Sequence, residues 1–141
     1  SYTYAGANGK SVNNYDRRYR GFTTLREAIT DSINIVTVKT LAQAGVSLGW
    51  QYVQEYGFTT VDSRDMNEAL ALGGITQGVS NLELTAAYAA IANQGTYIKP
   101  KFYTKILDHD GNVLIDNTTP ESHTVIKDTT AWLLTSAWKM L

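Results

Sequence analysis

Ser32-Ile33-Asn34 sets a hydroxyl and a carboxamide two positions apart. A serine hydroxyl both donates and accepts a hydrogen bond, and an asparagine side chain offers an amide oxygen and two N–H donors. Such a pair can pass a proton and hold an amide or an ammonium, but neither residue is a nucleophile with its own base. The same two residue types also end one helix and cap the next. Other chemistries find less support. His109 and His123 stand singly in polar segments, with no second histidine or carboxylate cluster at zinc spacing, and read as surface histidines. Asp108-x-Asp110-Gly111-Asn112 hints at calcium, but its glycine is misplaced for an EF-hand loop and no glutamate closes it, so it reads as a turn. Gly73-Gly74 and Gly78 lack the lysine and the glycine spacing of a phosphate loop and read as close backbone packing.

Composition narrows the classes further. The chain has 141 residues, a formal charge of −1 and no cysteine. Near-neutrality gives no electrostatic footing for nucleic acid or an anionic membrane. Disulfides and thiolate-held metals are excluded. No apolar run approaches the ~20 residues that span a bilayer, and Ser1 to Lys10 lacks the charged and apolar regions of a signal peptide. Arg17, Arg18 and Arg20, interleaved with Tyr15 and Tyr19, read as a solvated or salt-bridged loop.

The elements around Ser32 and Asn34 follow from pattern. Residues 1–22, with Tyr2, Tyr4, Tyr15, Tyr19 and Phe22 among glycines and asparagines, show no period and read as aromatic-anchored coil. Thr23 or Thr24 caps a helix with Leu25, Ala28, Ile29 and Ser32 on one face, ending near Asp31 or Ser32. A second helix carries Ile35, Val38, Leu41 and Ala42 on one stripe and stops at Gly45, which puts Ser32 and Asn34 at a helix-to-helix junction. A third helix is expected over about Ser47 to Tyr56, with Trp50, Val53 and Tyr56 inward and Gly57 past its end. Ser80 with Glu83 has the capping-box pattern, opening a helix to about Asn93 whose apolar residues surround its axis and predict burial on several sides. Phe102 to Ile115, turning at Asp110-Gly111, predicts a β-hairpin. A last helix begins near Asp128 and contains Ala131, Leu133, Leu134 and Trp138. The sequence stops inside that pattern at Met140-Leu141, which leads us to expect a truncated domain.

Read in order, Thr24-Leu25-Arg26-x-Ala28 before Ser32-x-Asn34, Leu72-Gly73-Gly74 before Gly78-Val79-Ser80, and Ala87-Tyr88-Ala89 before Ala92-Asn93-x-Gly95 carry a joint resemblance. The chain resembles the transpeptidase domain of class A, bifunctional penicillin-binding proteins over nearly its whole length. Ser11-Val12-Asn13 also fits Ser-x-Asn, but without this context. Val12 stands where the family usually has proline before the Asn14-Tyr15 pair, a departure expected to affect a loop. The resemblance implies an α+β, mostly helical piece of the larger β-lactamase/transpeptidase-like α/β fold, with a β-hairpin. Residues 1–141 would be a partial domain lacking an upstream Ser-x-x-Lys segment and a downstream Lys-Thr-Gly segment.

What the family does is then implied for the parent protein: a bacterial cell-wall D,D-transpeptidase that cross-links peptidoglycan stem peptides ending in D-Ala-D-Ala, through an acyl-serine, and binds β-lactams. Resemblance assigns Ser32 to the proton route and Asn34 to orienting the lysine and the substrate's acyl-side amide. It implies no metal or organic cofactor, no nucleic-acid partner, and a membrane-anchored parent on the extracytoplasmic face, usually joined to a glycosyltransferase domain. Ser136-Ala137-Trp138-Lys139 fits Ser-x-x-Lys in letters, but follows Ser-x-Asn instead of preceding it; Lys39-Thr40-Leu41 lacks the glycine of Lys-Thr-Gly. In a bacterial protein the Asn117-Thr118-Thr119 sequon carries little meaning. The isolated chain is therefore expected to be inactive, and apolar surface bared by truncation is expected to drive self-association or domain swapping. Two other readings stand beside this one. The first is a non-catalytic binding or structural module with a vestigial Ser-x-Asn, and the second is a serine β-lactamase or D,D-carboxypeptidase relative.

Overall fold

The computed structural model describes residues 2–3 and 11–138. Two short strands, β1 (Tyr2–Thr3) and β2 (Ser11–Val12), pair antiparallel ahead of the helices. Helices α1 (Leu25–Thr30), α2 (Asn34–Ala44) and α3 (Val46–Glu55) follow with tight junctions. Two 3-10 turns, Ser63–Asp65 and Glu68–Leu72, lead to α4 (Asn81–Ala92). Strands β3 (Thr96–Ile98), β4 (Lys105–Leu107), β5 (Val113–Asp116) and β6 (Ser122–Thr124) precede α5 (Asp128–Trp138). The β4–β5 hairpin is nested inside the β3–β6 pair, in which Tyr97 stands opposite His123.

Helix boundaries fall where capping chemistry puts them. Thr24 caps α1 and Ser80 caps α4, each in a reciprocal capping box, with Glu27 and Glu83 respectively. Gly45 separates α2 from α3, and Gly57 follows the end of α3 with φ +87. A Cβ on Gly57 would overlap the Tyr97 side chain, so both conformation and space require glycine there. At the end of α4, Gln94, ahead of the expected Gly95, adopts a left-handed conformation with φ +55.

Two buried clusters hold these elements. Ala86 and Ala90 of α4 pack with Tyr97 and Val125, while Val12, Ile35 and Val38 join β2 to α2. Val38 is completely buried, and burial of a valine side chain contributes roughly 1.5–3 kcal/mol.

Several expectations need correction. Helix α4 is not buried on several sides: Ala86, Ala87 and Ala90 are buried, but Leu82, Leu84 and Tyr88 are largely exposed. Its inward face is made of small residues that allow close approach, and its large side chains point elsewhere. Of the aromatic residues in the leading segment, Tyr2 packs against the Val12, Ile35 and Val38 cluster and donates to Glu68 at 3.0 Å, whereas Tyr15 and Phe22 are 99% and 100% exposed; Tyr4 lies outside the described residues. Val12 lies in a strand and in the core instead of a loop. The hairpin turn is longer than an Asp-Gly two-residue turn. Gly111 alone has positive φ, and the Asp108 carboxylate accepts the N–H groups of Asp110 and Asn112 at 2.9 and 2.8 Å. His123 lies in β6, its ring 5.3 Å from that of Tyr97, with Nε2 donating to the Glu55 carbonyl at 2.8 Å.

Candidate active-site corner

Ser32 and Asn34 flank the junction of α1 and α2, as their spacing predicts. The junction is a Schellman turn: the Ile33 N–H donates to the Ala28 carbonyl at 2.9 Å and the Ser32 N–H to the Ile29 carbonyl at 3.2 Å. That turn places its central residue in the left-handed region, and Ser32 has φ +51. Glycine usually takes this position, because a Cβ there costs roughly 1–2 kcal/mol. Ile33 is 4% exposed and pins the corner to the interior, while Ser32 is exposed and Asn34 half-buried. One buried residue thus separates two polar ones that face outward.

The Asn34 side chain does not cap α2. Helix α2 begins at Asn34 itself, Ile33 holds the cap position without a side-chain bond, and Asn34 Nδ2 donates to the Asn13 carbonyl at 3.1 Å. Among the described residues, the Ser32 hydroxyl and the Asn34 amide oxygen take part in no hydrogen bond. The hydroxyl and the amide oxygen are therefore available to a ligand. Asn14, which spacing alone does not single out, is also part of this corner: 8% exposed, it accepts the Ile35 N–H at 3.1 Å and donates to the Arg18 carbonyl at 2.7 Å. Its signal in the sequence is indirect, since a helix preceded by isoleucine needs an acceptor from elsewhere.

Charge surrounds the corner without entering it. Arg20 pairs with Asp31, next to Ser32, and with Asp16 at 3.4 Å, so of the three arginines of this loop Arg20 is the one in an exposed ion-pair network among the described residues. A backbone hydrogen bond from Arg18 is the main reason the Asp16 carboxyl lies below its ordinary range. Clefts of about 90 and 220 Å³ adjoin the corner; Asn14, Arg20 and Ile33 line both, and Ser32 lines the smaller. Both lie below the roughly 300–1,000 Å³ of a small-molecule site. A larger groove of about 550 Å³ lies between Gln94 and the α5 residues Asp128, Thr129, Trp132 and Leu133, away from Ser32 and Asn34.

The Ser136-x-x-Lys139 match is described only in part. Ser136 accepts a hydrogen bond from Arg26 at 3.2 Å on α5, and Lys139 lies outside the described residues, as do Met140 and Leu141. Lys39 lies on α2, where its ammonium sits 5.9 Å from the centre of the Tyr2 ring. No group of three or more metal-ligating side chains occurs among the described residues, and none of their helices is long and apolar enough to cross a membrane.

Residues 1–139 match the family model described as the penicillin binding protein transpeptidase domain. Penicillin-binding protein 1F of Bacillus subtilis (strain 168) is 41% identical over 122 residues, covering 86% of this chain and 16% of that protein. Penicillin-binding protein 1A of Clostridium novyi (strain NT) is 35% identical over 109 residues, 76% of this chain and 12% of the relative. Penicillin-binding protein 1A/1B of Bacillus subtilis is 33% identical across 99% of this chain and 15% of its own length. The chain therefore spans 12–16% of the length of these relatives. Among solved structures, penicillin-binding protein 1A from Haemophilus influenzae superposes with a TM-score of 0.79 at 25% identity, covering 97% of this chain and 25% of that one. The D,D-transpeptidase domain of a peptidoglycan glycosyltransferase from Eggerthella lenta gives 0.70 at 19% identity, over 92% of this chain and 39% of its own.

Proposed function

Because the chain belongs to the penicillin-binding protein transpeptidase family, we propose that it forms the Ser-x-Asn wall of a serine D-Ala-D-Ala transpeptidase within a longer bacterial protein. The observation that carries this reading is the corner itself: Ser32 is held outward in a conformation its side chain resists, two positions from an amide whose oxygen bonds to none of the described residues. Strained backbone of this kind persists where the surrounding structure over-determines it, and it clusters at functional sites.

In the reaction a serine Oγ attacks the carbonyl of the penultimate D-Ala. The C–N bond to the terminal D-Ala breaks, the leaving amine takes a proton, and the amine of a second stem peptide displaces the serine from the acyl ester. The nucleophile with its lysine base, and the Lys-Thr-Gly strand, come from other parts of the longer protein, since no Ser-x-x-Lys precedes Ser32 in these 141 residues and no Lys-Thr-Gly follows it. The Ser32 hydroxyl, both donor and acceptor, relays the proton between that lysine and the leaving amine. The Asn34 oxygen orients the lysine and receives the backbone amide on the acyl side of the substrate. Stem peptides and β-lactams are the partners of this site, and the parent acts on the extracytoplasmic face of the membrane.

The test is covalent labelling by a fluorescent penicillin with intact-mass analysis, applied to the 141-residue chain beside a polypeptide extended on both sides. Label on the extended polypeptide alone is the expected result. Specific labelling of the short chain would make Ser136 or another of its serines a nucleophile and overturn the division of roles proposed here.

A further inference from the structure

The start of α2 has no local cap, and the residue that supplies one lies 21 positions earlier in the chain. The first N–H groups of a helix find no partner inside it. Ser32 and Asn34 are residue types that cap readily, yet neither side chain turns to this task. The Asn14 carboxamide performs it from the segment after β2, nine-tenths buried and engaged at both ends, by the Ile35 N–H and the Arg18 carbonyl. The preceding carbonyl, of Asn13, is the acceptor that holds Asn34 Nδ2.

We infer that Asn14 is a positioning residue for the Ser-x-Asn corner, satisfying the Ile35 amide so that the Asn34 oxygen stays available for the reaction. The inference rests on the transpeptidase reading above. Without Asn14, the buried Ile35 N–H loses its acceptor and draws on the side-chain oxygen of the preceding residue, Asn34. The backbone of residues 13–14, which fixes the direction from which Asn34 is held, also loses its tie to Arg18. Asn14 touches no substrate in this scheme and acts through Asn34.

The experiment uses the extended polypeptide and follows acylation by fluorescent penicillin over a concentration series, separating the acylation rate constant from the binding constant. Wild type, Asn14→Ala, Asn14→Asp, Asn34→Ala and the double variant Asn14→Ala/Asn34→Ala are compared well below their unfolding temperatures. Asn34→Ala is expected to slow acylation about a hundredfold, on the scale of a lost orienting group. Asn14→Ala should slow it about tenfold with binding little changed, and the double variant should be no slower than Asn34→Ala, since residues acting as a unit are not additive. Asn14→Asp keeps an acceptor for the Ile35 N–H, favoured at a helix N-terminus, but loses the donor to the Arg18 carbonyl, and should be faster than Asn14→Ala without reaching wild type. If Asn14→Ala does not fold, the same cycle is run with Asn14→Ser, whose hydroxyl is too short to reach the Ile35 amide. Acylation of Asn14→Ala at the wild-type rate, losses that multiply in the double variant, or an Asn14→Asp as slow as Asn14→Ala would each overturn the inference. A wild type that penicillin does not acylate would instead reject the transpeptidase reading, and the inference with it.

Discussion

Ser32 sits where a Schellman turn asks for glycine, and it carries the left-handed conformation with a side chain attached. Two substitutions separate its backbone role from its chemistry. Ser32→Gly removes the Cβ and should stabilise the fold by about 1 kcal/mol. Ser32→Ala keeps the Cβ and should change stability by less than about 0.5 kcal/mol, as at an exposed position without partners. Both should abolish efficient acylation in the extended polypeptide. Urea unfolding read beside penicillin labelling checks this, and a stability gain equal in the two variants would refute the strain. The junction was legible in the sequence because Thr24, Gly45 and the apolar stripe of α2 bracket it. The use made of each side chain was not, since a local pattern cannot say that Asn34 reaches back to Asn13 or that Asn14 reaches forward to Ile35.

Buried and capping carboxylates organise the elements. Asp65, 1% exposed in the first 3-10 turn, accepts the Thr76 hydroxyl at 2.6 Å, the Thr76 N–H at 2.8 Å and the Asp62 N–H at 3.1 Å. These hydrogen bonds, the Thr76 hydroxyl first, hold its carboxyl below the ordinary range. Glu83 is held low mainly by the Thr59 hydroxyl, and Glu27 by the Thr24 N–H. Carboxylates depressed in the fold stabilise it at pH values above their unfolded pKa of about 4, and that stability is lost as pH falls through their lower folded values. Thermal stability should therefore be level from about pH 5 to 7 and fall below about pH 4. Asp65→Asn should flatten that acid limb while lowering stability at pH 7; an unchanged limb would exclude Asp65 as a contributor. In α4, Ser80→Ala should cost about 1 kcal/mol. Glu83→Ala should cost more, because Glu83 also ties the helix start to Thr59 through bonds of 3.1 and 2.6 Å. Equal losses in the two variants would remove any role for that tie. The capping box was readable from Ser80 and Glu83, but the bond to Thr59 crosses 24 residues and was not.

At the scale of the whole molecule, apolar surface is left open in two regions. In and before the hairpin, Phe102, Leu107, Val113 and Leu114 are more than half exposed, and Trp132 and Leu133 of α5 are 66% and 54% exposed. Contiguous exposed apolar surface favours association. Sedimentation velocity of the 141-residue chain should show mass rising with concentration, and Leu114→Lys should reduce that rise. A monomer across the full series would count against it. The alternating pattern of residues 102–115 announced a hairpin, yet alternation normally marks one covered face, and here both faces meet solvent. Periodicity reports which residues could be covered; what covers them is decided by surfaces far away along the chain or beyond it. The same reason explains why the apolar circumference of α4 overstated its burial.

The 21-residue reach from Asn14 to Ile35 also bears on the order in which the chain takes shape. The Schellman turn between α1 and α2 is built from residues 28–33 alone, but the Asn14 cap on Ile35 and the Asn13 hold on Asn34 form only after a loop of 21 residues has closed, with an entropy loss that local winding does not incur. A chain that has made both helices therefore still lacks the contacts that hold Asn34 and cap Ile35. Because Asn14 is synthesised first, the clamp is already present when α2 emerges, and the site is completed by docking.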